Sequence, residues 1–202
     1  MNKLTAYKEL VKKYHATLDL VSDGALEHFD DKIADARIYA EFIKTKAKPG
    51  ATILDVGSGA GLPGIVLSID LPDNPIYLVE RRQKRAAFLK IAVSQLELKN
   101  AQAFGSDVME LNAISADVVT ALAVGSFSLL YCLTRHLHSS SILLMSRKGD
   151  DYAKEIVHLE KTLGKPAKIL THPNVSRETI YGNLVAIECV GGLECSAGLS
   201  SK

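Results

Sequence analysis

The first fifty residues space their apolar side chains as amphipathic helices do. In residues 4–20, apolar side chains recur at intervals of three and four positions. Residues 22–46 repeat this spacing, and Pro49 and Gly50 then break it. The pattern therefore predicts two helices, which form an N-terminal helical segment over residues 1–48.

From Ala51 onward, short continuous apolar runs alternate with segments of helical spacing. Strand-like apolar runs separated by helices are typical of a parallel sheet covered on both faces. The last two runs are joined without a helix, which predicts an antiparallel pair at one end of the sheet. The runs are ATILDV, PIYLVE, ADVVTALAV, SILLMSRK, AKILTH and NLVAIECV, and the helical segments include 63–71, 81–97, 126–137 and 151–163.

These elements predict an α/β fold: a mostly parallel sheet with helices on both faces, an antiparallel C-terminal strand and the N-terminal helical segment. A chain of 202 residues is long enough for one domain with a well-buried core. We expect that core over residues 49–191. The tail 192–202 is small and polar, and we expect it to be disordered.

Composition narrows the classes of protein to which the chain can belong. Hydrophobic residues make up 47% and charged residues 23% of the chain, and no apolar run approaches the roughly 18 residues of a membrane span. The N-terminus lacks an apolar signal core, so we expect no export. The three cysteines fit neither a disulfide framework nor a zinc site, which indicates a reducing cytoplasm. With a net charge of +1, the chain is not basic overall, so any basic surface that binds nucleic acid must be local.

The stretch ILDVGSGAGLPG, residues 53–64, places glycines at alternate positions directly after an apolar run. In an open parallel sheet, ligands bind beyond the carboxyl ends of the strands, where this turn lies. Glycine removes the Cβ atoms that would block a ligand, and we expect exposed backbone amides in the turn. A structural turn, a nicotinamide dinucleotide site and a site for S-adenosylmethionine (SAM) are the alternatives.

The register of the glycines favours SAM. A G-x-G-x-x-G match at Gly59, Gly61 and Gly64 starts too late, because the glycine that adjoins the strand is Gly57. The pattern anchored on the strand is Asp55-x-Gly57-x-Gly59-x-Gly61, which resembles the first motif of class I SAM methyltransferases. We assign Asp55 to the ammonium group of the cofactor, directly or through a water molecule.

Glu80 ends the next apolar run, about 20 residues beyond Gly57. An acid at that distance is where this architecture holds ribose hydroxyls, so we assign Glu80 to the ribose. A solvated acid at a strand end is the alternative. Glu80 does not separate NAD from SAM, because both carry adenosine.

Basic residues gather in three places near predicted strands. The segment RRQKR, residues 81–85, packs four cations at a helix start, where they oppose the helix dipole and phosphate is a candidate partner. Together with the lysines of residues 44–48, Arg147 and Lys148, this segment would ring one rim of the sheet. The alternative for each is a solvated charged face. The RNA-binding candidates are Arg81, Arg82, Lys84, Arg85 and Arg147.

His28 and Asp31 lie three residues apart, which places them on one face of the second predicted helix. Such a pair would either shape a substrate pocket or pack between helices. No group of histidines and cysteines has the spacing of metal ligands, so no metal site is predicted.

The sequence resembles the bacterial 16S rRNA methyltransferase G family, also called glucose-inhibited division protein B. The segment LDVGSGAGLPGIVLSI carries most of the resemblance, and KRAAFLK, EHFDDKI and RKG are similar to further family segments. The resemblance covers most of the chain. It implies a class I methyltransferase (Rossmann-like) fold, SAM as cofactor, and N7 of one guanine in small-subunit rRNA as the methyl acceptor.

The resemblance also implies cofactor contacts. Gly57 and Leu62 would line the methionine and ribose side, while Val108 and Met109 would flank the adenine. Met109 stands where the family usually has glutamate, and we expect it to offer its backbone N–H instead.

Three residues are candidates for the substrate pocket, and one position departs from the family. His28, Asp31 and Lys148 are the candidates, Lys148 because RKG resembles the Lys-Gly of the family. Leu122 stands where the family has an arginine beside the cofactor. This departure leaves open a diverged member with another substrate, or a SAM-binding protein without catalysis.

The chemistry needs few special side chains. Guanine N7 carries a lone pair and no proton, so transfer requires alignment and a suitable pocket rather than a general base. We expect 16S rRNA or the small ribosomal subunit as partner, no membrane, a monomeric protein and a cytoplasmic location.

Overall fold

The N-terminal part of the protein is helical. The computed structural model describes residues 2–122, 124–171 and 182–190. The second predicted helix is divided at His28, whose backbone (φ −99°, ψ 27°) departs from helical geometry. The three helices are α1 (Lys3–Leu18), α2 (Asp23–Glu27) and α3 (Phe29–Lys46).

In the described part of the chain, seven strands form one sheet in the order β3-β2-β1-β4-β5-β7-β6. The strand β1 pairs in parallel with β2 and β4, and β7 runs antiparallel to both β5 and β6. The predicted mostly parallel sheet with an antiparallel C-terminal strand is confirmed. The strands are β1 (Ile53–Val56), β2 (Ile76–Val79), β3 (Ala101–Phe104), β4 (Ala116–Ala121), β5 (His138–Lys148), β6 (Lys168–Thr171) and β7 (Asn183–Val190).

Four further helices connect the strands at the predicted places. Each lies within one or two residues of its expected start, because the apolar spacing and the flanking turn residues mark the boundaries well. They are α4 (Gly64–Asp70), α5 (Gln83–Gln95), α6 (Phe127–Thr134) and α7 (Tyr152–Leu163), with short 3-10 turns at Val108–Glu110 and Arg135–Leu137.

The strand β3 and the 3-10 turn that follows it were not predicted. This strand is four residues long, lies at the sheet edge and pairs with β2 alone. Its side chains are half-buried or exposed, and Gln102 points to solvent. A short edge strand that is partly exposed to solvent needs no continuous apolar run, so the hydrophobic pattern does not predict it.

The side chains of the strands alternate between two cores. Ile53 faces a core shared with α1, α3, α4 and α5, while its neighbour Leu54 faces a core shared with α6 and α7. Tyr7 of α1 and Phe29 of α3 are fully buried in the first core. The segment predicted as residues 1–48 thus shares its core with the part predicted as 49–191, and the predicted tail 192–202 lies outside the described residues.

Two other expectations bear on the described part of the chain. Within it, no helix is both long and apolar enough to cross a membrane. Cys189 is a buried free thiol.

Candidate active site

The order of the strands locates the site. From β1 the chain moves outward to β2 and β3, then returns to β4 on the other side of β1. The crevice beyond the carboxyl ends of β1 and β4 is therefore the switch point at which open α/β sheets bind ligands. The glycine loop, residues 57–63, follows β1 at this crevice, and Leu122 follows β4.

The glycines of the loop serve its conformation and its packing. Gly57 and Gly61 have φ of +68° and +99°, values that side chains rarely allow. A Cβ on Gly57 would lie 2.8 Å from Cγ2 of Val124, and one on Gly61 would lie 2.5 Å from Cγ1 of Ile65. A Cβ on Gly59 would meet only a loop carbonyl at 3.8 Å, so the loop is open to a ligand at that point.

Glu80, predicted to hold a ribose, lies directly against this opening. Its Oε2 accepts a hydrogen bond of 3.0 Å from the amide of Gly59, and its Oε1 accepts one of 2.8 Å from the amide of Arg82. The residue is only 6% exposed. Because each carboxylate oxygen has a second lone pair, Glu80 retains acceptors for the hydroxyls of a ligand.

Asp55 is buried beneath the loop. Its Oδ1 accepts a 2.8 Å hydrogen bond from the hydroxyl of Thr120 on β4, and its Oδ2 accepts one of 3.2 Å from the amide of Gly64. Burial raises the pKa of Asp55 to about 6, although these hydrogen bonds act in the opposite direction. With 1% exposure, Asp55 ties β1, β4 and the start of α4 together. This placement favours the water-mediated form of its predicted contact with a ligand.

Four amides of the glycine loop, those of Gly57, Ser58, Gly59 and Gly61, are engaged within the protein, which corrects for these residues the expectation that the loop amides are exposed. The amides of Gly57 and Ser58 both donate to the carbonyl of Val79, at 2.8 and 3.1 Å, and that of Gly61 donates to Ser58 at 2.6 Å. A pyrophosphate group binds through free amides of such a turn. Here the loop presents buried carboxylates instead, and these suit a cationic ligand.

A tyrosine of the N-terminal segment supports the loop from below. The hydroxyl of Tyr7 donates a 2.8 Å hydrogen bond to the buried carbonyl of Ala60. In the sequence, Tyr7 is one of the apolar positions of residues 4–20, and no further role was predicted for it. Its hydroxyl was the available signal, because a buried tyrosine usually finds a hydrogen-bond partner.

The predicted adenine side differs in one contact. Val108 is buried, while the side chain of Met109 is 61% exposed. The amide of Met109 donates at 3.0 Å to Oδ1 of Asp107, so it is not free to bind adenine as expected. Asp107, whose side chain caps the turn that follows β3, was not singled out from the sequence.

A cavity of about 300 Å³ adjoins the glycine loop. Leu62 belongs to both, so the cavity lies beside the crevice. Of the predicted pocket residues, Lys148 lines the cavity, whereas His28 and Asp31 are exposed and lie outside its lining, 3.4 Å from each other. The lining residues are Lys32, Asp35, Leu62, Leu122, Arg147, Lys148 and Gly149.

A buried ion pair lies in the wall of this cavity. Arg147 Nε donates to Asp35 Oδ2 at 3.2 Å, its Nη2 donates to Asp35 Oδ1, and its Nη1 donates to the carbonyl of Gly182 at 3.1 Å. The two side chains are 4% and 7% exposed. Burial raises the pKa of Asp35, and the guanidinium acts against that rise. Arg147, predicted as a surface cation for RNA, thus lies inside the cavity, and Asp35 was not predicted.

Lys148 holds structure together at the cavity. Its Nζ donates to the carbonyl of Gly125, lies 2.8 Å from Oε2 of Glu155 and lies 4.8 Å from the ring centre of Phe127. The ammonium is therefore directed toward α6 and α7 rather than into the cavity.

The basic residues divide into separate groups. Arg81, Arg82 and Lys84 are exposed at the start of α5, whereas Arg85 donates to the backbone and carboxylate of Asp19. The lysines of residues 44–48 precede β1 and lie near the amino ends of the strands, on the side of the sheet away from the crevice. There Lys48 pairs with Asp117 at 2.8 Å. The prediction of one continuous basic rim is wrong. Residues that precede a parallel strand lie at the amino end of that strand, whereas the crevice lies at the carboxyl ends.

Comparisons with known proteins agree with this geometry. The family model described as rRNA small subunit methyltransferase G matches residues 1–179. The chain is 32% identical over 170 residues to the ribosomal RNA small subunit methyltransferase G of Methylobacillus flagellatus, covering 84% of this chain and 80% of that protein. It is 31% identical over 175 residues to the protein of that name from Chlorobaculum tepidum, covering 82% and 78%.

Among solved structures, the chain is similar to the O-methyltransferase from Bacillus cereus in complex with SAH. The TM-score is 0.59 at 13% identity, over 92% of this chain and 90% of the other. A likeness at this level of identity shows the shared fold alone.

The substitution Tyr7→Phe should destabilise the protein, because it leaves the buried carbonyl of Ala60 without its donor. We expect the free energy of unfolding to fall by about 1–2 kcal/mol in urea denaturation. Tyr14→Phe is the matched control, since Tyr14 lies two turns after Tyr7 on α1 and its ring packs 6.1 Å from that of Phe88 on α5. Equal, small losses in both variants would show that the hydroxyl of Tyr7 does not support the loop.

Proposed function

The chain belongs to the rRNA small subunit methyltransferase G family, and we propose that it transfers the methyl group of SAM to N7 of a guanine in small-subunit (16S) rRNA. The family match over residues 1–179 confirms the predicted family, and with it the rRNA methyltransferase activity and the SAM cofactor. The observation within the site that supports this function is a glycine loop in which four amides are engaged and whose neighbours are buried carboxylates.

We propose that the crevice holds SAM in one orientation. Glu80 would accept hydrogen bonds from the ribose hydroxyls, and the open space at Gly59 would admit the sugar and the methionine part. Asp55 would attract the ammonium group through water, and Val108 with Asp107 would face the adenine. SAM supplies a methyl group on a positively charged sulfur, and a crevice with Glu80 beside it and Asp55 beneath its loop favours such a cation. NAD fits less well, because its pyrophosphate would face these carboxylates and engaged amides.

The cavity beside the loop is where we place the methyl acceptor. Leu62 separates the crevice from the cavity, so a base within the cavity lies next to the cofactor. Leu62 and Leu122 offer apolar contacts to the faces of the base and exclude water. Because N7 carries no proton, the protein contributes alignment rather than proton transfer. This explains why the site needs no catalytic base.

The exposed start of α5 is our candidate for the contact with rRNA. Arg81, Arg82 and Lys84 are solvent-exposed and follow directly after Glu80, so they border the cofactor crevice. Cations at this place can neutralise phosphates that flank the target base. Arg85 has a different role, because Asp19 engages it.

We also propose a monomer that acts in the cytoplasm, where small ribosomal subunits are found. In the described part of the chain, the exposed large apolar side chains are Met109, Val157 and Ile169, on three separate elements. They form no contiguous apolar patch of the kind that obligate dimers bury. The cytoplasmic location rests on the substrate and not on the cysteines.

Isothermal titration calorimetry should show binding of SAM and none of NAD. The substitution Glu80→Gln should weaken SAM binding roughly tenfold, because it removes a charge-assisted acceptor from the ribose. Glu41→Gln, the same change at an exposed position of α3, should leave the affinity unchanged. Binding of NAD without binding of SAM would contradict the proposed cofactor site.

The affinity for SAM should rise with pH through about 6. Burial raises the pKa of Asp55 to about 6, so the carboxyl is largely neutral at pH 5 and ionised at pH 7, where it attracts the cationic cofactor. We expect roughly five- to tenfold tighter binding at pH 7 than at pH 5. In Asp55→Asn this dependence should be lost, with thermal melting as the control for folding. The same pH dependence in both proteins would assign the titration to another group.

A methyl-transfer assay tests the proposed reaction. Small subunits from a strain that lacks the modification should accept label from radiolabelled SAM, and mass mapping should place it on N7 of one guanine. Naked 16S rRNA serves as the comparison substrate. Label on another atom or another RNA would indicate a diverged substrate, and absence of label on both substrates would contradict the reaction.

A further inference from the structure

The ion pair between Asp35 and Arg147 is the least expected feature of the cavity. It joins α3 of the N-terminal segment to the carboxyl end of β5, two elements far apart in the chain. Both residues are more than nine-tenths buried, yet both belong to the cavity lining. A buried ion pair often adds little to stability compared with apolar residues of similar size. Its position therefore suggests a role in recognition.

The pair keeps hydrogen-bonding capacity beyond its internal contacts. A guanidinium carries five N–H groups, of which Arg147 uses three for Asp35 and Gly182. A carboxylate can accept about four hydrogen bonds, and that of Asp35 accepts two from Arg147. A fixed donor thus lies beside a fixed acceptor in the wall of the cavity.

The charges of the cavity suit a neutral, planar group. The lining holds three cations: Arg147 is paired with Asp35, Lys148 is paired with Glu155 at 2.8 Å, and Lys32 lies close enough to Asp35 to lower the pKa of that carboxyl. A phosphate would bind an uncompensated cation more favourably than a cation that is already paired with a carboxylate. A volume of about 300 Å³ lies at the small end of ligand pockets, which fits a single nucleobase.

We propose that Asp35 and Arg147 recognise the target base as guanine, an inference that rests on the proposed function. The guanidinium of Arg147 donates to O6, and the carboxylate of Asp35 accepts from the adjacent N1–H. N7 belongs to a different edge of the base and stays free to accept the methyl group. Adenine is rejected because it presents an amino donor to the guanidinium and an acceptor nitrogen to the carboxylate.

This assignment also accounts for Leu122. The resemblance places an arginine at that position, whereas this chain has leucine. Leu122 and Arg147 line the same cavity, so β5 supplies a guanidinium there in place of β4. Asp35 holds that guanidinium in one orientation through two hydrogen bonds.

Replacing both partners together tests the proposal without leaving a buried unpaired charge. The double variant Asp35→Leu/Arg147→Met should keep the melting temperature within a few degrees and the SAM affinity within twofold. Its kcat/KM for methyl transfer to small subunits should fall at least a hundredfold. The matched control is Arg37→Gln/Asp70→Asn, which removes an ion pair of 2.9 Å that also involves α3 but lies outside the cavity. The control should keep full activity.

The outcomes distinguish a failure of the proposed role of Asp35 and Arg147 from a failure of the proposed function. A double variant that folds, binds SAM and methylates within threefold of the wild type overturns the role of the pair and leaves the proposed function intact. An inactive wild type overturns both. If the double variant does not fold, Arg147→Lys is assayed instead. Lysine keeps the positive charge but lacks the planar guanidinium with its paired N–H donors. We expect at least a tenfold loss of kcat/KM in Arg147→Lys at unchanged SAM affinity, and an unchanged kcat/KM overturns the proposal.

Discussion

Two buried carboxylates hold the glycine loop in the shape on which the rest of the site depends. Asp55 joins β1 to β4 through Thr120 and to the start of α4 through Gly64, while Glu80 joins β2 to the loop through Gly59. These contacts engage both the carboxylates and the amides of the loop. The result is a crevice of negative character at the switch point of the sheet, and this character suits a sulfonium cofactor better than a dinucleotide.

The N-terminal helices are part of the site as well as of the core. Tyr7 of α1 supports the loop through the carbonyl of Ala60, and Asp35 of α3 orients Arg147 in the adjoining cavity. Arg85 of α5 anchors the end of α1 through Asp19. The glycine loop and the proposed acceptor cavity therefore each depend on a helix that precedes the sheet in the chain.

The sequence predicted the features that local spacing encodes. The glycine loop and Glu80 follow from the position of each residue at the end of an apolar run, and the antiparallel strand follows from a missing helix. The edge strand β3 was missed because its side chains are half-buried or exposed, so they form no continuous apolar run. Asp35 was missed because its partner Arg147 lies 112 residues away, and a carboxylate in an amphipathic helix resembles a solvated charge. The amide of Met109 was misassigned because a nearby side chain, that of Asp107, engages it.

A crystal structure of the protein with SAM tests the central claim most directly, because it locates the cofactor atom by atom. The account predicts both ribose hydroxyls within hydrogen-bonding distance of the Glu80 carboxylate, about 2.5–3.0 Å, with the sugar against Gly59 and the methyl group directed toward the cavity that Leu62 adjoins. SAM bound elsewhere, or a crevice at Glu80 that stays without cofactor at saturating concentration, would contradict it.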